Sequence, residues 1–210
     1  MLNVTKFTIG EIETNTYVLE SGGVFAVVDP AEENAELLNF LKGKNVEYVL
    51  LTHGHFDHIS GVNSVVRETG AKVCVHSLDG EMLLDGNKSL YNSHFGGIQA
   101  PIKADILLND GDELNFGETN VRVMHTQGHT NGSVCYILEN ERIIFSGDTL
   151  FRLSAGRTDL AGINPVLAGR NELASLKKLS NLSGDYTVYP GHGEETTLQF
   201  EREHNRYIRY

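Results

Sequence analysis

The sequence predicts an α/β fold in which two sheets pack together and helices cover them. Three observations carry this. Short β-type runs broken by Gly and Asp turns dominate the chain, with amphipathic stretches between them. The pattern occurs twice, each half running through strands and then into helices. No linker, low-complexity tract or simple repeat interrupts it, so the 210 residues are expected to form one domain over 1–210.

The elements follow in order. "KFTIG" (6–10), "TYVLE" (16–20) and "VFAVVDP" (24–30) read as successive strands, with "ESGG" turning the last two back on each other, and Pro30 closes the series. In "AEENAELLNFLKGK" (31–44), Leu37, Leu38 and Leu41 fall at helical spacing and Gly43 suits the helix end. "VEYVLLTH" (46–53) is a buried strand, "ISGVNSVVRETG" (59–70) a helix ending at Gly70, and "AKVCVHS" (71–77) another strand. Turn residues fill 78–100, which reads as an insertion or lid over a cleft with one short helix around Met82. Strand patterns return in "ADILL", "DELNF", "NVRVMHT", "SVCYILEN" and "RIIFSGD". "NELASLKKLS" (171–180) reads as a helix, "DYTVYPGHG" (185–193) as a strand and turn, and "TLQFEREHNRYIRY" (197–210) as a charged amphipathic helix.

Composition narrows the function. Apolar residues at 40% and charged residues at 21% are globular proportions. No run approaches the roughly 20 apolar residues of a membrane span, and the N-terminus lacks a basic-then-apolar leader, so a cytoplasmic protein without a membrane partner is expected. A net charge of −11 repels phosphate backbones and argues against a nucleic-acid partner. Cys74 and Cys135 each lie in an apolar β-run, which predicts buried free thiols rather than ligands or a disulfide. Neither a G-x-S-x-G nor a Cys-centred nucleophile motif appears.

The chemistry concentrates in "LTHGHFDHISG" (51–61), which places His53, His55, Asp57 and His58 within six positions. A lone histidine is usually a surface or satisfied core residue. Four such groups in H-x-H-x-D-H order, after a strand and before a helix, read instead as metal ligands. Imidazoles at i and i+2 on a turn both reach one ion, and imidazole with carboxylate suits zinc, iron or manganese. Three further β-runs end the same way, in His129, Asp148 and His192, each beside a glycine. Ligand sites gather beyond the carboxyl ends of strands, so the four ends predict one convergent site. Asp57 and His58 are placed to serve a second ion, and the two oxygens of Asp148 make it the natural bridge between ions roughly 3.5–4 Å apart. His76, His94, His125 and His204 fall outside this pattern.

The motifs "THGHFDH" (52–58), "GHT" (128–130), "SGDTLF" (146–151) and "PGHG" (190–193) resemble those of the metallo-β-lactamase-fold hydrolases in order and spacing. The resemblance implies a four-layer αββα sandwich with two divalent metals at one edge, zinc first and iron or manganese as alternatives. It assigns His53, His55 and His129 to the first metal, Asp57, His58 and His192 to the second, and Asp148 to both. Asp57 and Asp148 are then the catalytic carboxylates. "SGDTLFRLSAGRTDLAG" (146–162) is most similar to the glyoxalase II group, the hydroxyacylglutathione hydrolases, and to its short bacterial relatives. Only 18 residues follow His192, so the extra C-terminal helical region that helps full-length members hold glutathione is not expected. Arg157 stands where members place a basic residue against the substrate's glycine carboxylate. Asp159 and Glu194 stand where members often have tyrosines, which turns two substrate-side positions acidic. The implied activity is hydrolysis of a small-molecule thioester such as S-lactoylglutathione by a hydroxide shared between the metals. A mononuclear-iron persulfide dioxygenase, and a lactonase or β-lactamase on the same metal pair, are the alternatives. Flavin-linked di-iron members carry Glu where His55 stands and are set aside.

Overall fold

The computed structural model describes residues 1–160 and 164–209. Its first sheet runs in the order β1 (Asn3–Ile9), β2 (Thr14–Ser21), β3 (Val24–Val28), β4 (Asn45–Leu50), β5 (Lys72–His76) and β6 (Ile106–Leu108). β1–β2–β3 is an antiparallel meander, and β3 through β6 pair in parallel. Parallel neighbours need crossovers. α1 (Ala35–Leu41) lies between β3 and β4, while α2 (Phe56–Ile59) and α3 (Val62–Thr69) lie between β4 and β5. A 3-10 helix (Ser77–Leu83) and α4 (Tyr91–Phe95) lead into β6.

The second sheet uses β7 (Glu113–Phe116), β8 (Thr119–His125), β9 (Val134–Leu138), β10 (Ile143–Gly147), β13 (Thr187–Pro190) and β14 (Thr196–Thr197), in the order β14-β13-β10-β9-β8-β7. The β11 (Leu150–Phe151) and β12 (Ser154–Ala155) hairpin stands apart. α5 (Pro165–Ser180) carries the chain from β12 to β13, and α6 (Leu198–His204) follows β14.

The period-two alternation of the strands builds the layers. In β3, Phe25 and Val27 face α1 and α3, packing with Leu37, Leu41, Val62 and Val65. Ala26 and Val28 face the other way and meet Val121, Val123, Val134, Tyr136 and Phe145 of the second sheet. β9 repeats the device: Val134 and Tyr136 point between the sheets, Cys135 and Ile137 toward Leu176 and Leu179 of α5 and Leu198 of α6. Helices, sheet, sheet and helices therefore stack in four layers, as expected. Both cysteines are buried and free. Among the described residues no helix is long and apolar enough to cross a membrane.

Several elements differ from expectation for identifiable reasons. The helix expected over 59–70 is confined to α3 (Val62–Thr69), while Ile59 ends the preceding α2, the two being separated where Gly61 turns its N–H onto the Pro30 carbonyl (2.9 Å). α5 begins six residues earlier than its apolar periodicity suggests: Asn164 caps it by accepting from the Val166 and Leu167 amides, and Pro165 occupies the first turn. α6 ends at His204 rather than at the C-terminus, because the buried Asn205 side chain donates to the Ser154 carbonyl and the Glu201 carboxylate. The first part of the 78–100 segment is anchored rather than lid-like, with Asp79 and Leu83 buried.

Candidate metal centre

The strand ends converge as the sequence suggests. His53 and His55 follow β4, Asp57 and His58 occupy α2, and His129 sits between β8 and β9. Asp148 follows β10 and His192 follows β13. Two glycines make the approach feasible. Gly147 adopts φ +48°, and a Cβ there would lie 2.3 Å from Thr52 Oγ1. A Cβ on Gly191 would lie 2.3 Å from Asp148 Oδ1 and 2.7 Å from His58 Cε1.

The seven side chains form overlapping triads: His53–His55–His129, His53–His58–Asp148 and Asp57–His58–His192, with the donor atoms of each within 4.8 Å of one another. Asp148 stands between the groups. Its Oδ1 lies 3.4 Å from His58 Nε2, and its Oδ2 lies 3.5 Å from His129 Nε2 and 3.6 Å from His192 Nε2. Asp57 Oδ2 lies 3.2 Å from His192 Nε2 and 3.5 Å from His58 Nε2.

Four imidazoles are held from behind through Nδ1, which leaves Nε2 for the centre. The partners are Thr52 Oγ1 for His53 (3.1 Å), Asp29 Oδ2 for His58 (2.9 Å), the Arg157 carbonyl for His129 (2.9 Å) and the Ile12 carbonyl for His192 (3.2 Å). Such partners fix ring and tautomer at metal sites. His55 is the exception: its Nδ1 lies 2.9 Å from His129 Nε2, so it is Nδ1 that this ring turns to the centre.

The electrostatics suit cations. Burial, reinforced by the neighbouring imidazoles, pushes His53 well below the usual histidine range, and burial with His129 beside it pushes His55 down to about 3. Both are therefore neutral, with a lone pair free. Burial opposes ionisation of Asp57 and Asp148, but the adjacent imidazoles win; Asp57 lies well below the carboxylate range and Asp148 at about 2. Burial would lower His58, yet Asp57, Asp148 and Asp29 around it raise it well above the ordinary value. Surplus negative charge thus collects here, in a place where positive charge is welcome.

The residues fit a metal pair on a separate observation. His53 Nε2, His58 Nε2 and Asp148 Oδ1 are buried without a hydrogen-bond partner. Orphaned polar atoms are costly, and three of them aimed into one cluster of imidazoles and carboxylates are the donor set of a cation site. The cluster fits a binuclear centre.

Three supporting carboxyls were not anticipated from the sequence. Asp29, at the end of β3, accepts from the Thr52 amide (2.8 Å), Thr52 Oγ1 (2.6 Å) and His58. It ends a buried strand in Asp, the same signal that points to Asp148. Asp79 accepts from the Gly54 amide (3.0 Å), Thr130 Oγ1 (2.7 Å) and the Gly132 amide (2.7 Å), tying the His53–His55 loop to the His129 loop. Glu172 of α5 accepts from the His129 amide (3.0 Å), and burial pushes its carboxyl up to about 9. The remaining histidines lie elsewhere: His76 stacks on His125, His94 on Phe56 and His204 on Phe200. Arg157 lends its carbonyl to His129, but its exposed guanidinium is bound by both oxygens of Asp159 at 2.8 and 3.1 Å.

Beside His55 and His129 opens a cavity of about 410 Å³, walled by Leu78, Met82 and Leu160 and rimmed by Asn87, Lys88 and Asn131. The 78–100 segment supplies much of this wall.

The sequence pattern described as "Metallo-beta-lactamase superfamily" matches residues 9–192. The chain is 32% identical over 207 residues to a Bacillus subtilis protein named probable metallo-hydrolase YqgX, covering 97% of this chain and 96% of that one. It is 33% identical over 189 residues to a hydroxyacylglutathione hydrolase of Francisella tularensis subsp. novicida, covering 89% of this chain and 65% of that enzyme. Two solved structures superpose closely. One is the B3 metallo-beta-lactamase BLEG-1 (TM-score 0.89, 34% identity, 99% of each chain). The other is TTHA1623 in a di-iron-bound form (TM-score 0.84, 34% identity, 97% of this chain and 100% of that one).

Proposed function

The chain belongs to the metallo-beta-lactamase superfamily, and on that premise we propose that it is a binuclear metallohydrolase that cleaves thioesters. His53, His55 and His129 would hold one cation and Asp57, His58 and His192 the other, with Asp148 standing between the two groups. The observation that carries this reading is the convergence of these seven side chains with three buried donor atoms left unpartnered. Likeness to the Francisella hydroxyacylglutathione hydrolase supports thioester cleavage. The donor set is free of cysteine and suits zinc, iron or manganese, and the di-iron neighbour keeps iron beside zinc.

A bound cation pair supplies acidity to water and a positive field for a developing oxyanion. The chain's own residues supply the rest. The neighbouring histidines keep Asp57 and Asp148 as carboxylates despite their burial, able to orient an attacking water through its O–H. Water adds to the acyl carbon, the C–S bond breaks, and a carboxylate and a thiol leave. No protein nucleophile is needed. Cys74 and Cys135 are buried, with thiols pushed up to about 12, and are unsuited to that role. The cavity beside His55 and His129 is of a size to hold a small molecule against the centre.

The closeness of BLEG-1 favours a second reading, opening of a β-lactam ring by the same centre. The test is a panel on metal-loaded protein: a thioester, a lactone, a β-lactam and glutathione persulfide. Release of thiol at the highest kcat/KM supports the thioesterase. Faster β-lactam opening transfers the assignment to the second reading, and oxygen uptake on persulfide with one iron per chain overturns both.

A further inference from the structure

Among the described residues, three cations near the centre are already engaged. Lys88, on the rim of the cavity, is paired with Glu81. Arg157 is bound by both oxygens of Asp159. Arg152 is paired with Glu194 at 2.8 Å, two positions from His192. A substrate carboxylate arriving at any of these meets a neutral pair rather than a free positive charge.

The cavity itself offers different chemistry. Leu78, Met82 and Leu160 form an apolar wall. Asn87 and Asn131 contribute carboxamides whose oxygens are occupied, Asn87 Oδ1 by Asn92 Nδ2 (3.1 Å) and Asn131 Oδ1 by Gln127 Nε2 (3.2 Å). Among the described residues their NH2 groups have no hydrogen-bond partner, and NH2 groups donate to carbonyl oxygens. Apolar wall, neutral donors and neutralised cations together describe a ligand with amide carbonyls and no free carboxylate.

Resting on the thioesterase reading above, we propose that the site is specific for thioesters whose thiol part is a neutral, amide-bearing arm of the N-acylcysteamine type, and that the Glu81–Lys88 and Asp159–Arg157 pairs select against thiols that carry free carboxylates, such as glutathione. Water adds to the acyl carbon of such a thioester, and a carboxylic acid and the N-acylcysteamine are released, with no redox partner.

The test compares S-acetyl-N-acetylcysteamine with S-lactoylglutathione on metal-loaded protein. Binding of their non-hydrolysable thioether counterparts, S-ethyl-N-acetylcysteamine and S-ethylglutathione, is measured by calorimetry. The proposal expects the neutral thioester to be favoured at least about tenfold in kcat/KM, with the thioethers ranking the same way in affinity. An exposed ion pair is worth up to about a factor of five. The E81Q and D159N variants, which free Lys88 and Arg157, should therefore each strengthen S-ethylglutathione binding by about two- to fivefold and leave the neutral thioether within a factor of two. Equal or better use of the glutathione thioester, or no gain in either variant, overturns the proposal while leaving the thioesterase reading standing. Turnover of neither thioester sinks that reading. If S-ethyl-N-acetylcysteamine also fails to bind, the pocket assignment falls with it.

Discussion

Asp29→Asn changes one oxygen to an NH2 group and should disable two histidines at once. In the native site Asp29 Oδ2 accepts from Thr52 Oγ1 at 2.6 Å and from His58 Nδ1 at 2.9 Å. Thr52 Oγ1 in turn meets His53 Nδ1 at 3.1 Å. With a carboxylate at the end, each Nδ1 carries its proton and each Nε2 keeps a lone pair for the centre. An amide nitrogen in that place can only donate. His58 Nδ1 must then accept, so its proton moves to Nε2, the atom 3.4 Å from Asp148 Oδ1. Thr52 Oγ1 accepts the other amide hydrogen and turns its own toward His53 Nδ1, with the same consequence one residue before Gly54. The amide oxygen still serves the Thr52 N–H, and Asn tolerates the φ of +48° that Asp29 adopts, so the fold should survive. Loss of a partner behind a metal-bound histidine costs about 10–100-fold in metal affinity, about 1.4–2.7 kcal/mol. His53 also belongs to the His53–His55–His129 triad and His58 to the Asp57–His58–His192 triad, so both cations should bind more weakly. The assay is competition for zinc against a chromophoric chelator, with near-ultraviolet circular dichroism confirming native packing. A folded Asp29→Asn protein that holds both metals as tightly as the parent would refute the tautomer argument.

Asp148→Ala should remove most activity and lower metal content at both positions, because its two oxygens face His58 on one side and His129 and His192 on the other; elemental analysis with a thiol-release assay checks this. Gly191→Ala should lower metal occupancy while leaving the sheets intact, since the added methyl would lie 2.3 Å from Asp148 Oδ1; metal analysis beside far-ultraviolet dichroism separates the two effects. Cys74 and Cys135 have thiols held up near 12 by burial, so they are protonated throughout the physiological range. Ellman's reagent at pH 8 should find no accessible thiol in the native protein and two after denaturation. Stripping the metals should lower the melting temperature, because cations that bind only the folded chain stabilise it by mass action, about 2.7 kcal/mol at a hundredfold excess over Kd; a scan with and without chelator reads this directly.

The sequence made the candidate centre unusually legible because its seven side chains sit where strands stop. "THGHFDH" supplies four of them within one turn and a short helix, and "GHT", "SGD" and "PGHG" repeat the same punctuation. The layers were legible for a related reason, since β3 and β9 alternate faces over their whole length. The supporting carboxyls were hidden because their work depends on tertiary neighbours. Asp29 reaches His58 only through the parallel β3–β4 pairing, in which its amide bonds the Leu50 carbonyl. Asp79 lies in a turn-rich segment that resembles a lid, yet it is 1% exposed and clamps two loops. Glu172 looks like the solvent face of a helix, and burial at α5 reverses that. Arg157 shows the opposite limit. The family pattern marks it for substrate, but its neighbour Asp159, two residues on, takes the guanidinium in this chain.

The central claim is that seven side chains from several strand ends hold two cations in one site. Anomalous diffraction from crystals of the metal-loaded protein, at energies either side of the metal edge, tests it most directly. Two peaks roughly 3.5–4 Å apart, with Asp148 between them, are the result this account predicts. A single peak, or metal bound away from His53, His58 and His192, would contradict it.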